Sequence, residues 1–259
     1  MVRRGARTVV FLPGAVTPAE IGYGDLVKEL GDRVRPLLMD PELYAAERPP
    51  RGWGYDVEAA ALFALADREG LRRIDAVGFS LGAETLLCAV ALRPERFRSL
   101  ALVEPEVTGA PWPPEDRRDV ESIQRSLRTL PPQEAVASFL PRLVKPGVEA
   151  HLPAEWETSP PPWLARRHAA AALWAGLYDA RFDQTRLASF RGPVHLALGE
   201  GSAPRFERAA RKLAGMFPHA ELEVYPGAHH VHPPHRASPS RYAAALRRLW
   251  ERADRGDST

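Results

Sequence analysis

The residues of this sequence best suited to chemistry are a serine set between two glycines, Gly78-Phe79-Ser80-Leu81-Gly82, and a pair of histidines near the carboxyl end, His229-His230. A serine hydroxyl is a weak nucleophile until a base takes its proton. Imidazole, which titrates close to neutrality, is the side chain suited to that task. The glycines have a steric meaning. A serine in a very sharp strand-to-helix turn is lifted above the sheet edge, and side chains at the flanking positions would collide with the strand and the helix. Two glycines around a serine also arise by chance, so the pattern gains its weight from context. The apolar run Ile74-Asp75-Ala76-Val77 precedes it, and the Ala/Leu-rich stretch Ala83 to Leu92 predicts a helix after it. In such a turn the amide of Leu81, at a helix amino end, faces the same space as the hydroxyl and forms half of an oxyanion hole. His229, His230, His232 and His235 also raise the question of a metal. No HExxH or paired Cys accompanies them, and Pro233 and Pro234 are expected to hold the segment away from helix, so one base with incidental histidines is expected and no metal.

At these residues the sequence resembles the α/β-hydrolase superfamily, in its serine-nucleophile, esterase-like branch, and the resemblance extends over nearly the whole chain. Leu12-Pro13-Gly14-Ala15 is similar to the family's first-strand oxyanion segment, with Pro13 where that segment usually has histidine. The resemblance implies that the backbone amides of Ala15 and Leu81 bind the oxyanion. Pro226-Gly227-Ala228-His229-His230-Val231 resembles the family's Pro-Gly-Ala-Gly-His-Phe segment, a register that implies His230 as the general base and puts His229 where glycine is common. The acid departs from the pattern. Where the family usually reads Gly-Glu-x-Asp, this chain reads Gly199-Glu200-Gly201-Ser202, and serine cannot carry the charge that stabilises an imidazolium. Leu102-Val103-Glu104-Pro105 resembles the arrangement of relatives such as many haloalkane dehalogenases, whose acid follows the preceding strand. Glu104 is therefore the first candidate, Glu200 the next, then Glu106. Glu84, one helical turn past Ser80, is expected to have a structural role.

These residues need a scaffold, and the order of segments supplies one. Strand patterns at Thr8 to Leu12, Val34 to Met39, Ile74 to Val77 and Leu100 to Val103 alternate with helical patterns at Tyr23 to Leu30, Val57 to Glu69 and Ala83 to Leu92. Strand signals return at Val194 to Leu198 and Leu222 to Tyr225, with helices Arg205 to Met216 and Arg241 to Ala253. The expected fold class is α/β: an α/β-hydrolase fold with a mostly parallel central sheet flanked by helices. Between Glu104 and about Phe190 no strand is convincing, but helices are expected at Glu115 to Leu130, Pro132 to Leu143 and Pro162 to Leu177. Residues 1–105 and 191–259 therefore read as the core, and residues 106–190 as a helical lid inserted after the strand ending near Val103.

Composition narrows the function classes. A net charge of +2 gives no argument for nucleic acid, and no apolar run is long enough to span a membrane. The start of the chain has no apolar signal region, so a cytoplasmic protein is expected. The one cysteine, Cys88, falls on an apolar helical pattern and reads as a buried thiol. The implied activity is acyl transfer to water on a small, apolar, ester-like substrate without a cofactor, with esters, thioesters, lactones and the carbon–carbon bonds of dienoic acids all left open. Serine at the elbow argues against dehalogenase or epoxide hydrolase chemistry, where the family's nucleophile is aspartate. Trp112, Trp156, Trp163 and Trp174 are candidate pocket or packing residues. The sequence leaves the oligomeric state open. It also leaves open an alternative in which the fold has lost efficient catalysis, with Ser202 as the mark of decay, and binds a small hydrophobic ligand.

Overall fold

Short runs rich in Val, Leu and Phe suit strands buried on both faces, and in the computed structural model they lie side by side. The structure describes residues 5–15, 17–106, 108, 111–130, 134, 138–151 and 167–256. In chain order the elements are β1 (Arg7–Leu12), α1 (Ala19–Leu30), β2 (Val34–Leu38), α2 (Tyr55–Arg68), β3 (Ile74–Phe79), α3 (Leu81–Leu92) and β4 (Phe97–Val103). They continue with α4 (Pro114–Thr129), α5 (Arg167–Asp179), α6 (Gln184–Ser189), β5 (Val194–Gly199), α7 (Pro204–Met216), β6 (Ala220–Tyr225), α8 (Pro234–Ala237) and α9 (Pro239–Gly256).

The six strands form one sheet in the order β2-β1-β3-β4-β5-β6, and every pairing is parallel. The central strands β3, β4 and β5 are almost wholly buried, whereas the edge strands β2 and β6 are only partly so. Helices α1 and α9 cover one face around Tyr23, Leu26, Tyr242 and Leu246. Helices α2, α3 and α7 contribute to the larger apolar cluster on the other, with Leu62, Leu86 and Phe206. From β1 the chain moves outward to β2 and then returns past β1 to β3. The order therefore reverses between β1 and β3, and the crevice beyond the carboxyl ends of these strands is where such sheets bind ligands.

The segment between β4 and β5 carries α4, α5, a 3-10 turn at Leu140–Leu143 and α6. Val120 and Ile123 of α4 and Leu173 and Leu177 of α5 join the larger cluster, so these helices share the core's apolar interior. Helix α6 lies against α3, and the Arg186 guanidinium donates to the carbonyls of Ala91 and Leu92 at 2.7 Å each. Of the helices expected from sequence, Glu115 to Leu130 corresponds to α4. The described part of Pro162 to Leu177 begins at Arg167, and that of Pro132 to Leu143 ends in the 3-10 turn; the remainder of both lies outside the described residues. One expectation is corrected. Pro234 opens helix α8 instead of preventing it, because the first helical position has no intrahelical use for an N–H, while Pro233 stays extended at ψ 161°. No helix among the described residues is long and apolar enough to cross a membrane.

Candidate active site

Ser80 links β3 to α3 with φ 49° and ψ −117°, a conformation that costs an L-residue energy and persists only where its surroundings enforce it. Those surroundings are hydrogen bonds and bare glycines. The Ser80 amide donates to the Val103 carbonyl at 3.0 Å, and the Gly82 amide donates to the Pro13 carbonyl at 3.0 Å. A Cβ at Gly78 would lie 2.5 Å from the Gly82 carbonyl oxygen, and one at Gly82 would collide with the Leu12 carbonyl. The glycine spacing read from sequence thus follows from how closely β1, β3 and the start of α3 approach.

Glu104 is the other non-glycine residue with positive φ among the described residues, also at 49°. Its amide donates to the Ala197 carbonyl at 3.1 Å, which extends the β4–β5 ladder by one residue before Pro105 ends it. Its carboxylate is fully buried. Oε1 accepts from the Gly199 amide at 2.7 Å and from the Ser202 hydroxyl. Oε2 lies 3.1 Å from Nδ1 of His230.

The His230 ring is nearly parallel to Phe206, with centroids 4.1 Å apart, and rests on Phe79 at 5.0 Å. Its Nε2 lies 3.2 Å from Ser80 Oγ. The Nδ1 and Oε2 contact is an ion-pair approach not yet aligned as a hydrogen bond, and among the described residues neither atom has another hydrogen-bond partner. Such contacts tighten when substrate binds. A neutral ring facing a carboxylate through Nδ1 keeps its proton there. Nε2 is then left to accept from the Ser80 hydroxyl.

The other candidates stand apart from this chain of contacts. Glu200 is exposed. Glu106 is buried but engaged by Arg205 Nε at 2.5 Å. Glu84 is buried, hydrogen-bonded to the Tyr55 hydroxyl and accepting from the Glu106 amide at 3.2 Å, which fits the structural role expected of it. His229 turns toward His232, whose amide donates to its Nδ1 at 3.2 Å, and burial holds its pKa below the usual histidine range. Among the described residues no group of three or more His, Cys, Asp or Glu is placed to hold a metal ion. Cys88 is buried, and burial pushes its thiol up to about 12, so it stays protonated and unreactive at neutral pH.

The loop after β1 passes directly beside the elbow. A Cβ on Gly14 would come within 2.8 Å of the Phe79 ring and 3.4 Å of Ser80 Cβ, which brings the following residue, Ala15, close to the serine. Tyr44 fixes that loop by donating to the Ala15 carbonyl at 2.7 Å. Leu81 opens α3, so its amide has no intrahelical partner. Ala15 and Leu81, whose amides are the ones expected at an oxyanion hole, thus follow, respectively, a residue packed against the elbow and Ser80 itself. Trp112 is buried in the larger cluster, while Trp156, Trp163 and the side chain of Trp174 lie outside the described residues.

Sequence reasoning missed Phe206, which stacks on the imidazole, and the part played by Ser202, which it read only as a missing acid. A serine at that position was itself the available signal, because a hydroxyl can hold a carboxylate that approaches from the neighbouring strand.

Solved structures with the same architecture cover nearly the whole chain. A thermophilic esterase from Thermogutta terrifontis matches with 19% identity and a TM-score of 0.73, over 96% of this chain and 90% of its own. MenH from S. aureus matches with 17% identity and a TM-score of 0.72, over 98% and 97%. An enol-lactonase from Burkholderia xenovorans matches with 16% identity and a TM-score of 0.71, over 96% and 92%. No curated protein matches the chain. The model of the alpha/beta hydrolase family matches residues 9–245, and with that span, this sheet and this elbow the chain belongs to the alpha/beta hydrolase family.

Proposed function

We propose that this hydrolase-family protein is a serine hydrolase that cleaves an ester-like bond of a small, apolar substrate through an acyl-enzyme intermediate. The observation that carries the reading is the unbroken run from Ser80 Oγ through His230 to the buried Glu104 carboxylate, with contacts of 3.2 Å and 3.1 Å. His230 Nε2 takes the Ser80 proton as Oγ attacks the carbonyl carbon, and Glu104 stabilises the resulting imidazolium without itself taking up a proton. The Ala15 and Leu81 amides hold the oxyanion, the imidazolium returns its proton to the leaving alkoxide, and water then releases the acyl group by the same path. Ser202 supports the enzymatic reading over the binding-only alternative, since its hydroxyl holds a replacement acid in place. Helices α4 and α5, and with them residues 106–190, act in this reading as the cover of the crevice. The esterase and enol-lactonase among the structural neighbours suit ester and lactone substrates as the first to try.

Hydrolysis of p-nitrophenyl esters of graded chain length tests the proposal. The parent should turn over the shorter esters, and Ser80→Ala should lower kcat by about five to six orders of magnitude. An alanine variant as fast as the parent would refute the assignment.

A further inference from the structure

Two donors converge on one oxygen of the Glu104 carboxylate. The Gly199 amide and the Ser202 hydroxyl both donate to Oε1, so among the described residues Oε2 is left without a hydrogen-bond partner and faces His230 Nδ1 at 3.1 Å. A carboxylate at the end of a flexible glutamate side chain has several rotamers available, and in this buried position the two donors select the one that turns Oε2 to the imidazole. The Gly199 amide alone would leave rotation about the terminal carboxyl bond largely open. A second donor on the same oxygen removes that freedom.

The backbone that carries Ser202 is held as well. Its amide donates to the Gly199 carbonyl at 3.1 Å. On its outer side the loop bridges to the segment preceding α5: the Lys145 amide donates to the Gly201 carbonyl at 2.8 Å, the Ala203 amide donates to the Leu143 carbonyl at 3.0 Å, and Val144 forms an isolated bridge with Ser202. Ser202 is 1% exposed, so water does not compete for its hydroxyl. A serine kept this dry and this firmly placed, with its proton directed at a carboxylate, does more than close a turn.

We infer that Ser202 is a positioning residue for catalysis, its hydroxyl orienting the Glu104 carboxylate toward His230. The inference rests on the proposed serine hydrolysis and deepens it: Ser202 touches neither substrate nor imidazole and acts through Glu104. Loss of the hydroxyl frees the carboxylate to turn away from the ring and weakens its hold on the imidazolium that forms as Ser80 is deprotonated. Around the Glu104 and His230 pair stand His229 on the same loop and His235 on α8, both with a pKa lowered by burial, the ring of Phe206, and Arg205, which lies over Phe206 and pairs with Glu106.

The test is the pH profile of p-nitrophenyl ester hydrolysis by Ser202→Ala and Ser202→Thr. The alanine variant should lose about tenfold in kcat with KM unchanged, and the acid limb of its profile should move down by roughly half a pH unit, because a carboxylate that is no longer oriented holds the imidazolium less well. The threonine variant keeps the hydroxyl and should keep the parent's limb. If the alanine variant does not fold, Ser202→Cys, nearly the same shape with a weak donor, carries the same expectation. A substrate-free readout accompanies the kinetics: the downfield proton resonance of His230 Nδ1–H should move upfield in the alanine variant. An alanine variant with the parent's kcat, acid limb and resonance would reduce Ser202 to a turn residue. Failure of the underlying reading would show differently, as a Ser80→Ala variant no slower than the parent.

Discussion

At the scale of single residues, the question is which carboxylate supplies the charge that the imidazole needs. Glu104 and Glu200 follow neighbouring strands, and their positions in the sequence make both plausible. Glu200 points to water, where its charge is screened and its orientation unrestrained, whereas Glu104 is buried with both oxygens committed. Glu104→Gln should therefore lower kcat by about three to four orders of magnitude, as loss of a triad acid does, while Glu200→Gln should stay within about twofold of the parent. Steady-state kinetics on a p-nitrophenyl ester decide between them, and the reverse ranking would move the acid to Glu200. The serine and the histidine were legible from the start because their motifs are local: a turn that needs glycines, and a loop after a strand. The contact between Glu104 and the ring was only partly legible, since it depends on which side chain a neighbouring strand presses against the imidazole, a tertiary fact. Ser202 was the least legible, because its partner is Glu104, far away in the chain.

At the scale of elements, Arg205 is one of the arginines that link the segment between β4 and β5 to the core. Arg205, in the first turn of α7, donates from Nε to Glu106 at 2.5 Å and from Nη1 to the Arg142 carbonyl at 2.6 Å, and it reaches Asp119 of α4 at 3.2 Å. Its side chain is 4% exposed and that of Glu106 is 6%, so neither charge has water to fall back on. Arg205→Met leaves the Glu106 carboxylate buried and unpaired, and should destabilise the fold by about 3–5 kcal/mol. Denaturant titration measures this, and removing the charge at both positions with Arg205→Met and Glu106→Gln should recover much of the loss. Most elements themselves were readable from periodicity, with ends that differ by a few residues: β4 begins at Phe97, not Leu100, and α1 at Ala19, not Tyr23. The extensions have physical causes. Phe97 pairs with Ile74 although charged Arg98 interrupts the apolar run, and the Asp40 carboxylate accepts from the Ala19 amide at 2.8 Å, capping α1 from the next strand end. Helix α8 was missed because a proline pair reads as a helix breaker when position within the helix is not considered.

At the scale of the whole molecule, the face of the sheet covered by α1 and α9 holds two buried histidines outside the run of contacts from Ser80 to Glu104. His235 stacks on Tyr23 and packs against Phe79, and His195 lies beside Tyr242 with Nε2 3.3 Å from the Tyr225 hydroxyl. Burial lowers their pKa to about 3 and about 4. The folded state keeps both rings neutral, whereas the unfolded chain protonates them near the ordinary value of 6.5. Their stabilising effect is therefore complete above that value and declines as pH falls from it toward about 4 and then about 3. Between about pH 7 and about pH 5.5 each should remove about 1 kcal/mol from the unfolding free energy. Urea titrations at the two pH values should show a smaller drop for His235→Phe than for the parent, and an equal drop would contradict the assignment. The same packing holds the elbow, since the Phe79 ring is shared by His235 and His230. Function in this account is likewise a property of the assembled fold: Ser80, Glu104, Ser202 and His230 come from separate strand ends and acquire their roles only together. Covalent labelling of the folded protein by a fluorophosphonate tests that claim most directly, because the probe reports an activated serine without any knowledge of the substrate. The account predicts a single adduct, on Ser80, formed rapidly by the parent and slowed by orders of magnitude in His230→Ala; an inert Ser80 in well-folded parent protein would contradict it.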